Sequence, residues 1–267
     1  MAESNEAARR RARRTLAQVE RQRARTPGRV EELRARAARS KRPRALSLDA
    51  IVGQALRIVD AEGVDAVSMR RVAAEFDTGP ASLYAYVANK DELLRLVLGR
   101  VIDAVELPAD EADWQQVVRT WAHNARDEFL RHNDLARLTF AHIPTGPKML
   151  EAAELVLGAM IRGGVPAQVA AWAMDITSLY VAADAYEGWL LAQRFADDSG
   201  RDPEEVGREH FERQLQDFAE APPGRYPYVT GNLAALMVGG SDERFSFAID
   251  MLIAGFASRI PSGEAHD

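Results

Sequence analysis

From residue 47 onward, apolar residues recur at three- and four-residue steps and nowhere settle into the strict alternation of a half-buried strand. Leu48, Ile51, Val52, Ala55 and Val59 share one face of a first helix, with Ser47 placed to cap its start and Gly63 its end. Ser68 opens a short second helix with Val72, Ala73 and Phe76 inward, which ends at Asp77, Thr78 and Gly79. Pro80 then occupies the first turn of a third helix running to about Tyr86. Two short helices joined by a tight turn make a helix-turn-helix. A fourth helix starts at Asn89, where Glu92 three residues on suggests a capping box; its apolar positions Leu93, Leu94, Val97, Leu98, Val101, Ile102 and Val105 carry it toward Pro108. Further helices are predicted at about 113–131, 134–141, 147–162, 166–194, 203–219 and 242–259, with one long loop over 222–240. The pattern predicts an all-α chain: a helix-turn-helix unit over 45–92, a larger helical domain over 93–261 and a short tail, 262–267.

Charge changes the picture of the N-terminus. Residues 1–44 hold 14 Arg and one Lys against five Glu, a net charge of +10, while the other 223 residues carry −16. Almost no large apolar residue interrupts that stretch, so it cannot build a core and reads as a solvated basic arm. The arm either adds phosphate contacts or is a leader without a role. An acidic body does not attract DNA over its whole surface, so contact is expected from the N-terminal end.

The 47% apolar content is enough for a real core. The absence of cysteine excludes disulfides, thiolate metal sites and cysteine nucleophiles. Neither an apolar span of about 18 residues nor a signal-peptide core is present, so no membrane partner and a cytoplasmic location, nucleoid-associated when bound to DNA, are expected.

The segment GVDAVSMRRVAAEFDTGPASLYAYVANKDELL, Gly63 to Leu94, resembles the DNA-binding domain of the tetracycline repressor (TetR) family. Ser68, Arg70, Leu83, Tyr84, Tyr86, Val87, Asn89, Lys90 and Leu93 match the family's pattern in order and spacing. Weaker resemblance runs from Trp114 to Pro144, through Gly163 and Gly164, to a closing stretch from Arg244 to Gly255, and is similar to the tetracycline-repressor subgroup. The resemblance implies a transcriptional regulator, most often a repressor, that binds a double-stranded palindromic operator as a homodimer and is released by a small-molecule effector. It implies dimerisation through the helices at 166–194 and 242–259. Where that repressor presents an asparagine and a metal-linked histidine to its drug, an ungapped reading finds Trp121 and Thr139, so tetracycline recognition does not carry over.

Reading bases in the major groove needs a short helix with small residues at its start and anchors on the phosphates at either side. Arg70, beside Ser68 and Met69 at the start of the second helix, is placed for a bidentate contact to guanine; otherwise it is a solvated surface arginine. Thr78, Gly79, Pro80, Ala81 and Ser82 form the leading edge of the recognition helix, poor in polar groups and suited to thymine methyls and shape. Tyr84 and Tyr86, two residues apart, cannot both face inward; the family places them on phosphates, the alternative being that Tyr84 packs on the first helix. Lys90 sits at a helix N-terminus, where the dipole already favours an anion. Arg42 and Arg44 are candidates for the minor groove beside the first helix.

In the larger domain, Trp121, Phe129, His142, Trp172 and Tyr180 are candidate walls of a ligand pocket, or simply core. Asp175, Asp184 and Glu187 interrupt the apolar helix at 166–194, so they face solvent, pair with an arginine or meet a ligand with donors. The five histidines lack metal-ligand spacing, and neither a phosphate loop nor a nucleophile elbow occurs; no metal, cofactor or catalysis is expected. The rival reading is an architectural DNA-binding protein acting through its basic arm.

Overall fold

The computed structural model describes residues 46–109, 113–142, 146–195 and 219–261, with scattered positions between 201 and 216. The arm over 1–44 with Arg42 and Arg44, Pro144, the tail 262–267 and most of the helix expected at 203–219 lie outside the described residues. The chain divides into two units, 1–46 and 47–267, and every described helix belongs to the second. Its described residues form helices without a strand.

Helix α1, Leu48–Glu62, begins where Ser47 Oγ accepts the Ala50 N–H at 3.2 Å and ends at Gly63, whose φ of 85° a side chain would resist. Ile51, Val52, Ala55, Ile58 and Val59 are buried, while Leu48, in the first turn, stays exposed. Helix α2, Met69–Ala74, is capped by Ser68 and runs out through a turn with Asp77 at φ 53°. The third helix expected from Pro80 is a 3₁₀ helix, Pro80–Ala85. Pro80 removes a donor, and the short run before Asn89 cannot build an α ladder, so the bonds close over three residues: Ser82 N–H to Gly79 O at 3.1 Å and Tyr86 N–H to Leu83 O at 2.9 Å.

Helix α3, Lys90–Ile102, starts where Asn89 Oδ1 accepts the Glu92 N–H at 2.8 Å; Glu92 reaches back to the Ala88 N–H, one residue before the cap. It closes at Ile102, well short of Pro108, because three-residue bonds at Ala104 and Val105 tighten its end. Helix α4, Trp114–Leu130, is followed by a 3₁₀ segment, Leu135–Phe140, where the 134–141 helix was expected. Next come α5, Pro147–Arg162, and the long α6, Ala167–Phe195. The expected loop at 222–240 contains two short helices, α7, Pro227–Thr230, which Pro227 opens, and α8, Leu233–Met237, before α9, Ser241–Ala257.

Helix α6 is the spine of the body: α4, α5, α9 and the 135–140 segment all pack on it. Helix α3 packs on α1 and also on α4 and the 135–140 segment, so it belongs to both halves of the expected division at 92. At the turn into α6, the space a Cβ on Gly163 would need is filled by the Trp114 indole.

Candidate DNA interface and ligand cavity

The turn between α2 and the 3₁₀ helix presents a bare edge. Gly79, Pro80 and Ala81 are exposed, and a Cβ on Gly79 would meet no atom within 4 Å, so the fold itself does not demand glycine there. The hydroxyls of Thr78 and Ser82 bond to each other at 2.8 Å, which ties the edge together and leaves little for base hydrogen bonds. Arg70 is exposed without a partner among the described residues, whereas Met69 is buried under α2. Tyr84 and Tyr86 both project outward, 54% and 42% exposed, so neither is a core residue; Leu83 and Val87 are the buried ones. Lys90 is half-buried in the first turn of α3.

A second cluster joins α1 to the body, and pattern reading did not find it. Asp134, 2% exposed, accepts the buried Val64 N–H at 2.8 Å and lies against Gly63. Its neighbour Asn133, at φ 46°, donates to the carbonyls of Val59 and Asp60, both at 2.8 Å. Arg137 reaches Asp65 at 2.6 Å and Asp134 at 3.0 Å, while His132 contacts Asp60 at 2.7 Å and Glu128 at 3.3 Å. Arg137 lowers the Asp65 pKa, first through its hydrogen bond and then through its charge. Burial works against the Arg137 charge, but the two aspartates still raise its pKa. The end of α1 is thus held by one short stretch of the body. The only sequence signal for it was an Asn-Asp pair between two helices.

A cavity of about 320 Å³ lies between the end of α3 and helices α4, α5 and α6. Of the expected walls, Trp121, Phe129 and His142 line it. Trp172, 62% exposed, and Tyr180, which stacks on Phe245 with ring centroids 5.7 Å apart, lie outside the lining. Burial, then the Asp184 and Glu187 charges, raises the Tyr180 pKa. Thr139, Lys148, Asp175 and Ser178 supply further polar groups to the lining. The His142 ring, a wall of the cavity, stands 3.6 Å from Asp91 in the first turn of α3, next to Lys90.

The carboxylate of Asp184 meets an arginine. Arg126, 4% exposed, bonds Asp184 at 2.6 Å, Asp242 at 2.7 Å and the Ser241 hydroxyl at 2.8 Å, and its guanidinium lies 4.6 Å from the Phe245 ring centre. Burial opposes its charge, yet the two carboxylates raise its pKa. This joins α4, α6 and the start of α9. Among the described residues there is no group of three metal-ligating side chains and no helix long and apolar enough to cross a membrane.

The family model for the tetracyclin repressor-like C-terminal domain matches residues 107–260, and that for bacterial regulatory proteins of the tetR family matches residues 51–97. The chain belongs to the TetR family. A TetR-family relative, the HTH-type transcriptional repressor DrrR1 of Streptomyces coeruleorubidus, is 31% identical over 82% of this chain and 80% of its own. The class G tetracycline repressor of Vibrio anguillarum is 26% identical over 77% and 91%. Among solved structures, ActR of Streptomyces coelicolor in complex with actinorhodin superposes with a TM-score of 0.71 at 36% identity, covering 83% of this chain and 99% of its own. As a TetR-family member the chain is a transcriptional repressor with a DNA-binding helix-turn-helix, the unit built on α2 and Pro80–Ala85.

Proposed function

We propose that this chain is a homodimeric repressor that holds a palindromic operator through Arg70, the 78–82 edge, Tyr84, Tyr86 and Lys90, and lets go when a small molecule enters the cavity. One observation carries the reading: the stretch 129–142 both walls the cavity, with Phe129, Thr139 and His142, and grips the end of α1, with Asn133, Asp134 and Arg137. A ligand that displaces the wall therefore displaces the grip on the DNA-binding unit. ActR, solved with actinorhodin and with (S)-DNPA, supports a small-molecule effector.

The dimer rests on unpartnered apolar stripes. Trp172 and Ile176 on α6, and Phe247 and Met251 on α9, are between 44% and 65% exposed, at the helical spacing of a packing face. A two-fold dimer that reads a palindrome has to hold its two recognition elements about one DNA turn, roughly 34–36 Å, apart. Neither the cavity nor the helix-turn-helix calls for catalysis, a cofactor or a membrane.

Selection of binding sites from a random duplex library tests the reading. A short two-fold symmetric site, bound by a sedimenting dimer, is the expected result. Enrichment without sequence preference would favour an architectural protein acting through the basic arm.

A further inference from the structure

Among the described residues the histidines fall into two kinds. His123 and His210 lie against aromatic rings, those of Phe245 and Phe195, with ring centroids 5.0 and 5.3 Å apart. His132 and His142 face carboxylates instead, Asp60 on α1 and Asp91 on α3, the helices on either side of the helix-turn-helix. His142 meets Asp91 at 3.6 Å through Nε2 alone. His132 is engaged at both nitrogens: Nδ1 lies 2.7 Å from Asp60 Oδ1, and Nε2 lies 3.3 Å from Glu128 Oε1 on α4.

That arrangement fixes a proton count. An ionised carboxylate only accepts, and a neutral imidazole has one N–H, so a neutral ring satisfies one of the two carboxylates and turns a lone pair toward the other. The imidazolium has two N–H groups and satisfies both. The cations nearby are already engaged: Arg131 takes the other oxygen of Glu128 at 2.6 Å, and Arg137 is divided between Asp65 and Asp134. The His132 and Glu128 side chains are 14% and 11% exposed, so water has little access to replace the bond between them.

We propose that His132 is a proton-dependent positioning residue: as imidazolium it clasps Asp60 of α1 to Glu128 of α4 and holds the DNA-binding unit on the body, so that operator affinity falls when the proton leaves. Losing the proton takes one donor from the clasp, and the end of α1 gains freedom relative to α4. Only the fraction of molecules with the unit correctly held binds DNA at full strength, so a looser joint lowers the apparent affinity. The clasp's contribution is complete on the acid side of the histidine titration and is lost as pH rises through it. The inference rests on the DNA-binding helix-turn-helix, and on neither the symmetry of the operator nor the effector role of the cavity.

The test compares the full-length protein with His132→Gln, which cannot become charged, Asp60→Asn, and His132→Lys, from about pH 5.5 to about pH 8, the range in which histidine changes charge. The probe is the duplex enriched from the random library, titrated by fluorescence anisotropy at constant ionic strength. At the acid end the wild type should bind it about three- to tenfold tighter than His132→Gln, the size expected of a partly shielded charge-assisted bond, and the gap should close at the alkaline end. Asp60→Asn should behave like His132→Gln, while His132→Lys, which keeps its charge throughout, should bind with little dependence on pH. His142 is common to all these proteins, so the differences report His132. Urea midpoints, which need no DNA, should show the same closing gap. Nitrogen-15 spectra, with the His132 ring identified by its absence from His132→Gln, should show two N–H groups at the acid end. An affinity gap that stays constant with pH would make His132 merely structural, and a ring with one N–H at the acid end would remove the clasp; either overturns the inference. A closing gap in the midpoints without one in affinity would put the clasp off the route to DNA and overturn it as well. If no duplex is enriched, the operator reading fails, and the midpoints and spectra still decide the clasp.

Discussion

Replacing Asp134 with alanine separates two things that its carboxylate does. Asp134 is 2% exposed; one oxygen accepts the buried Val64 N–H at 2.8 Å, and the other meets Arg137 Nε at 3.0 Å. Truncation leaves the Val64 N–H buried without an acceptor, worth about 1–3 kcal/mol. Loss of the Arg137 contact adds little, about 0–1 kcal/mol, since Arg137 is partly exposed and keeps Asp65. The sum is about 1–4 kcal/mol, which at a urea slope of about 2–3 kcal/mol per molar lowers the midpoint by about 1 M at the middle of that range. Asp134→Asn retains an acceptor for Val64 and should lose less than half of that. The second readout is the factor by which a saturating effector weakens operator binding, ordinarily an energy of about 1–3 kcal/mol between two sites. With the grip on α1 loosened, that factor should fall toward one in Asp134→Ala. A midpoint unchanged within error would refute the energetics. A lower midpoint with the full effector response intact would make Asp134 a purely structural residue and refute the proposed route between cavity and DNA.

Arg70→Ala should weaken operator binding by about 1–3 kcal/mol and relax one base position per half-site, whereas Lys90→Ala should weaken all duplexes alike and lower the salt slope by about 0.9 per lost phosphate, both measured by titration at several salt concentrations. Gly163→Ala must push the Trp114 indole aside and should lower stability by about 1–3 kcal/mol in urea; Gly79→Ala, with open space around it, should leave the melting curve unchanged and alter operator affinity alone. Arg126→Met leaves Asp184 without its cation and should cost about 3–5 kcal/mol, with Asp184→Leu added to Arg126→Met recovering most of it. Because Arg137 lowers the folded-state pKa of Asp65, that pair stabilises the fold above the ordinary carboxylate value and loses its contribution as pH falls through the lowered one; stability curves of wild type and Asp65→Asn should therefore converge in acid.

Local chemistry was legible where a residue's neighbours in sequence decide its conformation. Ser47 and Gly63 bound α1 as read, and α5 runs from Pro147 to Arg162 as its periodicity predicts. Helical type was less legible: the residues after Pro80 and those around Leu135 look helical by spacing, but runs of six residues adopt the tighter 3₁₀ form. Proline at 227 opened a helix inside a stretch that composition marked as loop. Trp172 shows a different limit. Helix α6 is apolar on more than one side, so periodicity cannot say which of its residues meet the cavity, and the tryptophan is not among those that do. The Asp134 cluster was invisible for a simpler reason: Val64 and Asp134 are 70 residues apart, and only the folded chain makes them neighbours.

The 3₁₀ form of Pro80–Ala85 also limits how much an operator can say. Six residues rising about 2.0 Å each span about 12 Å. At about 3.4 Å per base pair, that is three or four positions per half-site. For the proposed two-fold dimer, two half-sites would then specify about eight base pairs, a word that random sequence repeats roughly once in 65,000 positions, against the about 10⁶ or more competing sites of a genome. Decoy copies of the word will hold repressor that never reaches its operator. The number of molecules a cell must keep to silence one gene is then set by those decoys, and any extra selectivity has to enter through Arg70 or through the stiffness of the bases between the half-sites.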